Sequence, residues 1–301
     1  MVNYLALEDG MLMLDEAFTK TRKIMEGHSD VKFTPEEYQR FYECVYILCV
    51  QRTSSENSKI LYDRYIYGLQ ESITSLVLPA LEDKNDALLL SELVAQWNNY
   101  NLMARWLSRF FSYLDRFFIP RVGGPGLLEQ AVECFHKLVN TRFSSRFITA
   151  FTSTINQDRS GDTCNRNLLK NVMEYFVQVR GSEGKQCYED LQEALLSNAA
   201  AYYSHIASNG LQYDSCADYM YKAQWCLNQE EERANHILDS SSKEKLLQVA
   251  KSYLVDQALA QLADKKQAEN CGSSTDYQDL LSKCAGLNIG DPSKDPNWRI
   301  A

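Results

Sequence analysis

An all-α fold is predicted, on three observations. Only 6 prolines and 13 glycines punctuate the 301 residues, so few positions force a turn. The apolar residues between them recur at helical period and do not alternate as strand residues do. One helix start is also spelled out in full: Thr34 as N-cap, Pro35 at the first helical position, and Glu37 completing a capping box.

From the N-terminus, helices are expected over about 5–27, 34–51, 57–82, 86–97, 99–121, 126–141, 143–157, 164–181, 186–209, 214–238 and 242–268. The stretch Val122-Gly123-Gly124-Pro125-Gly126 interrupts the pattern, after which helices resume in a similar rhythm. That makes it the best boundary between two helical repeats. Short connections between amphipathic helices suit a solenoid, in which each bundle buries its apolar face against the next. One compact bundle is the alternative. From Cys271 the chain turns polar and ends in Asp291-Pro292-Ser293-Lys294-Asp295-Pro296, which reads as a mostly disordered tail.

Composition narrows the function. With 45% hydrophobic and 24% charged residues the chain is globular, and its net charge of −9 argues against nucleic acid, whose nonspecific affinity comes from Lys and Arg neutralising phosphates. No apolar run approaches the roughly 18 residues of a membrane span. Residues Met1 to Gly10 lack the basic start of a secretory signal. The nine cysteines form no CxxC pair, which fits reduced thiols in a protein of the cytoplasm and nucleus.

Nothing in the motifs points to catalysis. His28, His136, His205 and His236 are isolated from one another and from cysteines at ligand spacing, so no metal or other cofactor is expected. GxxxxGK[ST], GxGxxG and GxSxG are all missing. The run Glu230-Glu231-Glu232 reads as a solvated helix face. No catalytic residue is assigned.

Two helices carry more apolar surface than one neighbour can cover. On a wheel, Phe41, Cys44, Val45, Leu48 and Cys49 with Tyr38, Tyr42 and Tyr46 span roughly 200°, against the about 100° that a one-sided helix needs. The three tyrosines recur every four residues along one edge. They read either as core aromatics with hydroxyls at the rim or as a binding face, since tyrosine joins a large rigid ring to a polar tip. In 99–121, Trp106, Phe110, Phe111, Tyr113, Leu114, Phe117 and Phe118 form one stripe, with Arg105, Arg109, Asp115 and Arg116 opposite. Tyr113 and Arg116 lie toward the edge where stripe meets solvent.

At these same helices the sequence resembles the cullin family, and within it the plant members that scaffold SCF-type ubiquitin ligases. Three stretches carry the resemblance: Tyr38-Gln39-Arg40-Phe41-Tyr42-Glu43-Cys44-Val45-Tyr46, Arg105-Trp106-Leu107-Ser108-Arg109-Phe110-Phe111-Ser112-Tyr113-Leu114-Asp115-Arg116, and Ser215-Cys216-Ala217-Asp218-Tyr219-Met220 with Lys222-Ala223. It implies an elongated stalk of five-helix cullin repeats: a first, adaptor-binding repeat over 1–122, a second over 123–240, the start of a third over 241–270, and the tail 271–301.

The resemblance further implies a non-catalytic scaffold whose first repeat grips a Skp-type adaptor, and F-box proteins through it. Tyr38, Gln39, Tyr42, Tyr46, Tyr113 and Arg116 match adaptor-contact positions of the family. The pattern is lost before the region in which the family holds its RING subunit, so RING recruitment is not expected. The alternative is a divergent helical structural or interaction protein that has lost adaptor binding.

Overall fold

The structure is a computed structural model that describes residues 4–28, 30–51, 54–180 and 185–258. The helix end expected at 268 and the polar tail 271–301 lie outside these. The described residues contain helices and turns and no strand.

In chain order the helices are α1 (Leu7–Met25), α2 (Pro35–Val50), α3 (Ser54–Ser72), α4 (Leu78–Glu82), α5 (Asp86–Phe110), α6 (Ser112–Phe117), α7 (Ile119–Val122) and α8 (Leu127–Phe135). They continue with α9 (Thr141–Arg159), α10 (Arg166–Gln178), α11 (Lys185–Tyr213), α12 (Cys216–Ile237) and α13 (Ser240–Lys251). Wider π-turns at Ile73–Val77 and His136–Asn140 lead α3 into α4 and α8 into α9, and a third, Ser252–Asp256, follows α13. The chain forms two compact units, Met1–Phe147 with Glu174–Cys187, and Ile148–Met173 with Tyr188–Ala301.

In the first unit α1 packs on α5, α2 and α3, and α8 packs on α3 and α5. Glycine permits α1 and α2 to approach closely: a Cβ on Gly10 of α1 would stand 2.7 Å from Leu48 Cδ1 of α2. The α2 start forms as the sequence requires. Thr34 Oγ1 accepts from the Glu37 amide at 3.2 Å, and the Thr34 amide donates to Glu37 Oε2 at 2.8 Å. Buried tyrosines tie α8 down, Tyr65 Oη donating to the Leu127 carbonyl and Tyr100 Oη to that of Ala131, each at 2.8 Å. Buried hydroxyls need such partners, because an unmet one costs about 1–3 kcal/mol.

Three expected boundaries are corrected. No break occurs at residue 98, because Leu93, Trp97, Tyr100, Met103 and Leu107 form one unbroken buried face along α5. Residue 142 is not a break either: Val139, Asn140 and Phe143 are all buried, and the backbone stays helical from the π-turn into α9. The segment 99–121 does break, at Phe111 (φ −90°, ψ 8°). Adjacent residues on a helix point about 100° apart. Leaving the helix there lets Phe110 pack on Phe41 (5.2 Å between ring centres) while Phe111 packs on Tyr65 (5.5 Å) and Phe18 (6.0 Å). Both rings are fully buried.

In the second unit the solvated-face reading of the glutamate run is overturned at its first residue. Consecutive helical side chains cannot share a face, and Glu230 lies on the same side of α12 as Cys226, Leu227 and Ala234 with 0% exposure. Arg159 Nη2 donates to Glu230 Oε1 at 2.6 Å, Tyr203 Oη donates to Oε2 at 2.6 Å, and Arg233 Nη1 donates to Oε2 as well. Arg233 Nε reaches on to Asp158 Oδ2 (2.5 Å), which Arg166 clasps through two nitrogens. Burial would raise the Glu230 carboxyl, but the charges of Arg159 and Arg233 and the hydrogen bonds from Arg159 and Tyr203 outweigh it and hold the group below its usual range. Asp158 is likewise held down, against burial, by Arg166 and Arg233.

Seven of the nine cysteines are described; none of these forms a disulfide, and all but Cys164 are buried. Burial pushes the thiols of Cys44 and Cys134 up to about 11 and that of Cys226 up to about 12, so they pack as small hydrophobes. Thiol titration in denaturant without reductant, on protein purified under reducing conditions, is expected to count nine. A count below seven contradicts this.

Candidate functional site

The inner arc of α2, Phe41, Cys44, Val45, Leu48 and Cys49, is buried as the wheel requires. The tyrosine edge emerges beside it. Tyr38 is 37% and Tyr46 38% exposed, and Tyr42 between them is half-buried. Tyr38 and Tyr42 lie nearly parallel (6.4 Å, 11°), and Tyr38 leans on Phe110 of α5 (6.0 Å).

At the far end Tyr46 meets Tyr113 of α6 edge to face (5.4 Å, 77°), and Tyr113 rests on Phe117 (4.5 Å). Such pairs add about 0.5–1.5 kcal/mol beyond area burial and fix ring orientation. Burial raises the Tyr113 phenol above its usual value, aided by neighbouring Cys49 and Tyr46. The result is a strip of mutually packed, half-exposed rings drawn from two helices.

A family model described as the cullin alpha solenoid domain matches residues 15–287. The chain belongs to the cullin family. Cullin-1 of Oryza sativa subsp. japonica is 41% identical over 263 residues, which is 87% of this chain and 35% of that protein. Cullin-2 of Arabidopsis thaliana is 34% identical over 263 residues, again 35% of its length. Cullin-like protein 3 of the same plant is 34% identical over 236 residues, 78% of this chain and 91% of that protein. The chain thus spans about a third of the longer plant cullins and most of the shorter cullin-like protein.

Within this cullin chain the residues singled out from the sequence do not all occupy one strip. Tyr38, Tyr42, Tyr46 and Tyr113 do. Gln39 stands on the outer crest of α2, bonded to Glu43 (2.7 Å), and lines a shallow groove of about 320 Å³ with Arg40, Glu43 and Ile47. Arg116 is exposed on α6, one turn beyond Tyr113. The stripe expected over 99–121 is not continuous: Phe110, Phe111 and Leu114 are core, whereas Phe117, past the break, is 47% exposed.

Phe33 is a cullin residue that the sequence reading missed. It packs on Phe110 (4.9 Å), Trp106 (5.0 Å) and Phe41 (6.0 Å), backing the Tyr38 end of the strip. The signal was present, since an apolar residue just before an N-cap commonly staples the first turn. Among the described residues no group of three or more His, Cys, Asp or Glu is placed to hold a metal ion, and no helix is long and apolar enough to cross a membrane.

Proposed function

We propose that this cullin chain is a non-catalytic scaffold segment that binds a Skp-type adaptor, and F-box proteins through it, by the tyrosine strip of α2 and α6. The observation that carries the reading is the half-exposure of Tyr38, Tyr42 and Tyr46 beside Tyr113. Rings already fixed by their neighbours lose little freedom when a partner covers them, and tyrosine is enriched among the residues that dominate interface energy. Gln39 and Arg116 would contribute polar contacts at the margins. A further part of the proposal is that these 301 residues hold no RING subunit.

The direct test is calorimetry of the purified chain with a Skp-type adaptor, with saturable one-to-one binding expected. Absence of binding would leave the divergent structural or interaction protein as the better reading. A functional test follows from scaffolding, which works by raising the effective concentration of one bound partner near another. Titrated above the adaptor dissociation constant into a ligase reconstituted with a full-length cullin, the chain is expected to lower ubiquitinated product by sequestering adaptor and substrate receptor. Rising product would contradict the proposal.

A further inference from the structure

The strip has unlike flanks. On one side, beside Gln39, stand the exposed carboxylates Glu36 and Glu43. On the other are arginines without an ion-pair partner among the described residues. Arg109 holds its guanidinium carbon 5.3 Å over the Trp106 ring. Arg116 lies one turn from Tyr113, Arg121 is close enough for its charge to act on the Tyr113 phenol, and Arg105 sits one turn before Arg109. All four are exposed, and none makes an ion pair with the described residues. The one acid among residues 99–122, Asp115, is turned aside, its Oδ1 accepting from the Leu127 amide at 2.8 Å.

Most other described arginines differ, although Arg146 donates only to the backbone carbonyls of Glu82 and Lys84. Arg22, Arg40, Arg64, Arg142, Arg159, Arg166 and Arg233 all have carboxylate partners. In a chain of net charge −9, four exposed guanidinium groups along α5 to α7, without ion-pair partners among the described residues, favour a local positive field.

We propose that Arg105, Arg109, Arg116 and Arg121 form a docking surface for a carboxylate-rich segment of the partner protein, capturing it before the tyrosines seat. This rests on the adaptor-binding reading and adds the chemistry and orientation of the partner. Its acidic segment lies along α5 to α7 and away from Glu36 and Glu43, because complementary charge fixes register and like charge disfavours the reversed pose. Charges of this kind act mainly on the rate of encounter, and the rings mainly on the lifetime of the complex.

The test compares the wild-type chain, Arg109→Glu with Arg116→Glu, and Tyr42→Ala with Tyr46→Ala in stopped-flow association with a Skp-type adaptor. At low salt the charge reversal is expected to slow association by about tenfold or more, the difference shrinking in high salt as screening shortens the field's reach. The tyrosine variant should associate at nearly the wild-type rate and dissociate faster.

A second arm uses a synthetic deca-glutamate peptide at low salt, followed by Trp106 fluorescence against a Trp106→Phe control. Saturable binding to wild type that the reversal abolishes supports the surface even if no adaptor binds, in which case only the adaptor reading falls. An unchanged association rate in the reversed variant, with adaptor binding intact, overturns the docking surface and leaves the adaptor reading standing. Failure of the peptide to bind also overturns it.

Discussion

Replacing Tyr42 and Tyr46 together by alanine is expected to weaken adaptor binding by at least roughly tenfold to a hundredfold, with helicity unchanged. Truncating one aromatic hot spot commonly costs about 2 kcal/mol or more, and about 1.4 kcal/mol is a factor of ten. The fold should tolerate the change because α2 is held by other groups. Its capping box lies a turn or more away, and Phe41, Cys44, Val45, Leu48 and Cys49 supply the buried face. Tyr46 is also the ring against which Tyr113 is set, so its loss frees Tyr113 as well. Calorimetry with circular dichroism on the same sample decides the matter, and an unchanged dissociation constant in a folded double variant would remove the tyrosine strip from the interface.

The largest stability effect is expected at Glu230. Glu230→Ala leaves Arg159 buried without a carboxylate and Arg233 with Asp158 alone, and breaking a buried pair from one side typically costs about 3–5 kcal/mol. Tyr203 Oη loses its acceptor at the same time. Glu231→Ala, a substitution one residue away at a more exposed position, is expected to cost less than about 1 kcal/mol. Thermal and urea unfolding followed by circular dichroism would separate the two, and equal midpoints for both variants would refute the assignment.

The same network sets a pH dependence. Glu230 and Asp158 titrate below their ordinary values of 4.5 and 3.8, so the unfolded chain binds protons more readily than the folded one in that window. Their contribution is complete above the unfolded values and is lost as pH falls through the depressed folded ones. A stability curve of the wild type should therefore fall on the acid side more steeply than that of Glu230→Gln.

How far the sequence reveals the molecule depends on whether the deciding interaction is local. The start of α2 is local: Thr34, Pro35 and Glu37 satisfy one another within four residues, and the structure forms the box they imply. The tyrosine edge is nearly so, because a wheel places Tyr38, Tyr42 and Tyr46 relative to Phe41 and Leu48 without knowing the neighbour. Glu230 was misread because its partner Arg159 lies 71 residues away, and a carboxylate's charge says nothing about whether a cation will meet it inside. The split at residue 98 was misplaced because polar Asn98 and Asn99 hide the continuity of Trp97 and Tyr100, whereas the break at Phe111 follows from core rings on both sides that no periodicity records.

That break also sets where Tyr113 points. A helix behaves as a screw, in which adding or removing one residue turns everything downstream by about 100°. Had α5 run on through residue 121, the azimuth of Tyr113 would have been tied to the phase of the whole 25-residue helix that precedes it. With the chain leaving the helix at Phe111, that phase is reset by anchors close at hand: the buried Leu114 and the Asp115 carboxylate on the Leu127 amide. Small drifts in the length or winding of α5 can then be absorbed at the joint, and the ring that completes the strip keeps its bearing.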